Sequence, residues 1–65
     1  MRQPFPMLTF RCRVTYLTPH GKISGAVYVV RAIAADLAVD HAETLLRSDK
    51  RRNVKQITYT EAIQL

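Results

Sequence analysis

The residues best able to do chemistry in this chain are cations gathered near its C-terminal third. Arg47, Lys50, Arg51, Arg52 and Lys55 fall within nine positions. Such a cluster can meet phosphates or carboxylates by simple electrostatics, with little demand on geometry. The plainer alternative is a solvated loop, and a basic run this short separates the two poorly. Arg11, Arg13 and Arg31 form a second, sparser set.

Other reactive types are few. Cys12 is the only cysteine, which excludes an intrachain disulfide and a multi-thiolate zinc site. His20 and His41 are the only histidines, and their spacing to Cys12 matches no zinc pattern, so no metal is expected. Asp40 and Glu43 lie three apart on what reads as an exposed helix face, where solvation explains them better than paired acid–base work. Two glycines cannot build a phosphate-cradling loop. A chain of 65 residues also has little room for a deep pocket. The expectation is a non-catalytic protein without a cofactor.

Composition sharpens the class of partner. Ten Lys and Arg against five Asp and Glu give a net charge of +5. That excess favours polyanions or acidic protein surfaces, although it also serves solubility. The hydrophobic fraction of 48% is that of a folded domain rather than a disordered one. No apolar run approaches the roughly 20 residues of a membrane-crossing helix, and the opening Met1–Pro6 does not read as a secretory signal. The lone thiol suits a reducing compartment, so a cytoplasmic protein is expected.

The elements that must carry these residues follow from periodicity. Residues 1–6, with Pro4 and Pro6, read as a flexible lead-in; residues 7–65 form one domain. Leu8, Phe10, Cys12, Val14 and Tyr16 alternate with Thr9, Arg11, Arg13 and Thr15, which marks a half-buried strand. Thr18–Lys22 supplies turn chemistry, with Pro19 fixing φ and Gly21 free to take φ > 0. A second strand runs from Ile23 to about Ala32. Ala26, Tyr28, Val30 and Ala32 are expected inward, Val27, Val29 and Arg31 outward, and Gly25 suggests a bulge.

A helix follows over about Ala35 to Ser48. Its apolar stripe is Ala35, Ala38, Val39, Ala42, Leu45 and Leu46, with Leu37 left on the polar side. Ala34 offers no capping oxygen. Asn53 is expected to end the helix region in the left-handed conformation. A last strand runs from Val54 to at least Thr60, with Ile57, Tyr59, Ile63 and Leu65 facing inward and Gln56, Thr58 and Thr60 outward.

The stretch Val30 to Ala42, where a strand closes on an alanine and a helix opens with alanines four apart, resembles the junction found in small hairpin–helix–strand proteins of bacteriophages and prophages, some anti-CRISPR inhibitors among them. The resemblance implies a mobile-element origin and a binding mode of action, and transfers no functional residue.

The order ββαβ predicts an α+β fold: a three-stranded antiparallel sheet of order 2-1-3 with one helix on one face. The other face stays open. It is expected to carry Arg11, Arg13 and Arg31 with hydroxyl and β-branched neighbours. Three uses stand open for it: a plain solvated sheet, a contact surface for a protein or a second copy, and a nucleic-acid platform. Inward-turned Phe10, Tyr16 and Tyr59 weigh against base stacking on that platform.

Overall fold

The strand β1 (Leu8–Leu17) forms because its alternating apolar residues have a layer to cover them. Phe10, Cys12, Val14 and Tyr16 are all buried, whereas Arg11 and Arg13 are exposed. In the computed structural model, which describes residues 6–65, β1 is the centre of a three-stranded antiparallel sheet. The expected lead-in lies, except for Pro6, outside the described residues.

β1 turns into β2 (Ile23–Ala32) through Thr18–Lys22. The Gly21 amide donates to the Thr18 carbonyl at 3.0 Å, and Gly21 takes φ +83°, a conformation that only glycine adopts freely. The Thr18 hydroxyl accepts from the Lys22 amide at 3.1 Å. The two strands then pair without interruption from Leu17–Ile23 to Leu8–Ala32. The bulge expected at Gly25 is therefore absent from this pairing. Ala26, Val30 and Ala32 are buried and Tyr28 is half-buried, while Val27, Val29 and Arg31 point to the other face, as the alternation required.

The helix α1 (Ala35–Ser48) lies across the inner face. Its apolar stripe is narrower than the sequence pattern. Ala38, Ala42 and Leu46, each four apart, are fully buried, whereas Ala35 is exposed and Leu45 is about a third exposed. The two alanines let the helix axis come close to the sheet, and Leu46 is the largest fully buried side chain of the layer between them. Without a capping side chain at Ala34, the first turn recruits Asp36, whose carboxylate accepts from the Leu37 amide at 3.0 Å. At the other end the Asp49 amide donates to Leu46 O at 3.1 Å, and Asp49 itself is extended. No non-glycine residue has positive φ among the described residues, so Asn53 does not end the helix in the left-handed way expected of it.

β3 (Gln56–Gln64) pairs antiparallel with β1 on the side away from β2, which gives the order β2-β1-β3. This is the α+β fold that the pattern of periods predicts. One feature of β3 departs from the sequence reading. The register slips between Thr15 and Tyr16, so that Thr15 faces Tyr59 while Tyr16 faces Ile57. Thr58 is the extra residue, and its hydroxyl donates to the Thr15 carbonyl at 3.1 Å beside the interrupted ladder. A one-residue slip sends every later side chain to the opposite face. Ile57 stays inward, Thr60 turns inward, and Tyr59, Ile63 and Leu65 are 59%, 44% and 63% exposed. The inward placement expected for Tyr59, Ile63 and Leu65, and the outward one for Thr60, are thus both corrected. Thr60 is satisfied where it sits: its hydroxyl donates to Glu43 Oε2 on α1 at 2.7 Å.

Candidate functional site: an open arginine-bearing sheet face and a basic pole

Strand alternation places all three sheet arginines on the face that α1 leaves bare. Arg11 stands opposite Val29 on β2 and Ile63 on β3. Arg13 stands opposite Val27 and Glu61. Arg31 stands opposite Thr9, one diagonal step from Arg11. A central row of cations is therefore bordered by exposed apolar side chains, Val27, Val29 and Ile63, with Tyr59 and Ile23 nearer the hairpin. Glu61 is the one carboxylate on this face among the described residues.

The remaining candidate cations gather elsewhere. β1 ends, the hairpin turns and β3 begins at the same pole of the sheet, and the segment joining α1 to β3 lies there too: the Lys55 amide donates to Leu17 O at 2.8 Å. Arg47, Lys50, Arg51, Arg52 and Lys55 share this pole, separate from Arg31 at the far end of β2. The structure thus divides the eight cations into two groups rather than one patch.

Within the polar group the side chains are not equivalent. Asp49, half-buried, holds two of them: its Oδ1 accepts from Arg51 Nε at 3.3 Å and from the Arg51 amide at 3.0 Å, and its Oδ2 lies 3.4 Å from Arg52 Nε. The Arg51 hydrogen bonds keep the Asp49 carboxyl below the usual carboxylate range. Arg52 reaches further. Its Nη1 donates to the Tyr16 hydroxyl at 3.1 Å and to the Gly25 carbonyl at 3.3 Å. These bonds tie the α1–β3 segment to both strands of the hairpin. Hydrogen bonds from Ser24 and Arg52 hold the Tyr16 hydroxyl below its ordinary pKa, and the same contact to Tyr16 raises that of Arg52. Arg47 is 62% exposed and approaches Glu43 one turn earlier at 3.8 Å. Lys50 and Lys55 are exposed.

The hairpin brings further residues to this pole that the sequence reading left aside. Tyr16, Thr18, His20, Lys22, Arg51, Arg52 and Asn53 line an open cleft of about 520 Å³. A second hollow of about 420 Å³ adjoins it at Arg52 and Asn53 and carries Arg47 and Lys55. Nothing local in the sequence links Lys22 to Arg51; the closure of the hairpin against the α1–β3 segment does.

Cys12 is fully buried, with its thiol 3.7 Å from the Ala38 carbonyl, and burial pushes its pKa up. A thiol so placed packs as a small core residue. No cluster of three or more His, Cys, Asp or Glu side chains able to hold a metal occurs among the described residues. No helix among them is long and apolar enough to cross a membrane. No match to the chain is found among protein-family models, curated proteins or solved structures.

Proposed function

We propose that the chain is a non-catalytic accessory protein of the cytoplasm, of the kind that phages and mobile elements encode, and that it works by binding another protein through the open face of its sheet. The observation that carries this reading is the make-up of that face. Arg11 and Arg13 sit in the middle of a patch whose flanks, Val27, Val29, Tyr59 and Ile63, are 44–64% exposed. Isolated exposed apolar residues are ordinary, but here two apolar flanks border one arginine row on a single uncovered sheet face, which supports its use as a contact surface. Arginine and tyrosine amid β-branched side chains form the composition from which interface hot spots are drawn. Three arginines against one glutamate select a partner surface that is acidic as well as apolar.

A second reading, direct binding of single-stranded nucleic acid, is favoured by one specific observation. The β3 bulge turns Tyr59 out beside Thr15, near Arg13, so the face has an exposed ring on which a base can stack.

The two readings separate in one series. A partner captured from host lysate after nuclease treatment is purified, and its affinity is measured for the wild type, for Val29→Asp and for Arg11→Ala/Arg13→Ala. Protein contact through the face predicts at least a tenfold loss in both variants and survival of the complex under nuclease. Loss of capture on nuclease treatment, with single-strand affinity falling steeply as salt rises, transfers the function to nucleic acid. Wild-type affinity in both variants removes the face from either account. Light scattering shows whether a second copy occupies it instead.

A further inference from the structure

The cleft between the hairpin turn and the α1–β3 segment stands apart from the sheet face and asks for a ligand of its own. Its volume of about 520 Å³ falls in the range of small-molecule sites. Its lining is rich in donors. Lys22, Arg51, Arg52 and His20 come from two segments some thirty positions apart, together with the Thr18 hydroxyl and the Asn53 amide. No carboxylate lines it among the described residues.

Two features go beyond a general excess of charge. The first is order. Asp49 meets the Nε edges of both Arg51 and Arg52, and among the described residues Arg51 Nη1 and Nη2 and Arg52 Nη2 have no hydrogen-bond partner. Arg52, held at three points, loses little freedom on meeting an oxyanion, and the free Nη edge of Arg51 offers it parallel N–H bonds. The second is extent. A second hollow of about 420 Å³ shares Arg52 and Asn53 with the cleft and adds Arg47 and Lys55, so five cations border two neighbouring hollows, more than one phosphate needs.

We infer that this pole is a binding site for an oligophosphate group, held by Lys22, Arg51 and the free edge of Arg52, with Arg47 and Lys55 meeting its further charges. The phosphates of a nucleoside polyphosphate and the 5′ end of an oligonucleotide share this chemistry. The inference does not rest on the protein-binding reading, since the sheet face contributes none of these residues.

The test is a titration of the full chain, followed by amide chemical shifts and calorimetry, with orthophosphate, pyrophosphate, tripolyphosphate, ATP, and one short oligonucleotide with and without a 5′ phosphate. The site predicts affinity that rises from ortho- to tripolyphosphate, with the largest shifts at residues 18–22 and 49–55. ATP binding like tripolyphosphate assigns a free nucleotide. A gain confined to the 5′-phosphorylated oligonucleotide assigns a strand end. Lys22→Ala/Arg51→Ala, two exposed positions that leave the Arg52 ties intact, should weaken tripolyphosphate at least tenfold, whereas Arg11→Ala/Arg13→Ala should leave it within twofold. Shifts spread equally over the sheet face and the pole would overturn the site, as would equal losses in the two double variants. So would the absence of binding to any of these anions at low salt.

Discussion

The two groups of cations in this protein are built on opposite plans. On the sheet face, Arg11 and Arg13 stand on the central strand and Arg31 on the edge strand β2, and among the described residues none of the three makes a side-chain hydrogen bond or close ion pair. At the pole, Arg52 is part of the scaffold: it ties the α1–β3 segment to Tyr16 on β1 and to Gly25 on β2. The contrast teaches that a run of basic residues in sequence is not a uniform patch in space. Arg51 and Arg52 are neighbours in the chain, yet the first is 90% exposed and the second 37%. A carboxylate beside them, Asp49, sets the difference by fixing the segment so that one arginine turns in and the other out.

Substitutions can break this comparison or sharpen it. The largest effect is expected where both regions depend on the same support. Leu46→Ala empties the fully buried contact between α1 and the sheet, and should cost about 3 kcal/mol in chemical denaturation. An unchanged midpoint would show that the helix does not anchor the sheet as described.

Next comes Arg52→Ala, which should lower the Tm clearly more than Arg11→Ala/Arg13→Ala does. Equal effects would erase the distinction between scaffold and surface. The hydroxyl link between α1 and β3 is smaller: Thr60→Val removes a hydrogen bond to Glu43 and should cost about 1 kcal/mol, which would also verify the register after the bulge. Tyr59→Ala should change stability by less than about 0.5 kcal/mol, because its ring faces solvent, while reducing partner affinity at least tenfold.

The pH profile adds a final, modest distinction. The Asp49 carboxyl titrates below its unfolded value, so its contribution is complete above about pH 4 and is lost as pH falls through the lower folded value. Melting below pH 4 should therefore show a loss of stability that Asp49→Asn no longer shows.

Most of the fold was legible because its signals are periodic. β1 alternates cleanly, and a period of two assigns both its faces at once; the helix bounds emerged from the switch to a stripe at four-residue spacing. β3 was harder. Gln56 to Thr60 contains no glycine or proline to announce a bulge, and the slip at Thr58 arises only when the strand is paired with β1. Tyr59 was therefore assigned to the wrong face, and with it the evidence on base stacking. The helix bounds Ala35–Ser48 are those the stripe predicts, but the closing device is not. Asn53 has the right chemistry for a left-handed turn, yet the helix closes at Asp49, whose amide bonds back to Leu46, and Asn53 keeps negative φ. The eight candidate cations were visible in the sequence, but their division into two groups depends on which segments the hairpin meets.

Arginine side-chain NMR measures that division directly. Hydrogen exchange at Nε should be slow for Arg52, which is held by Asp49 while its Nη1 is bonded to Tyr16 and Gly25, and fast for Arg11 and Arg13 on the bare face. Equally fast exchange at Arg52 would contradict the account, because it would leave the pole without its tie to the hairpin and the two sets of arginines without a physical difference.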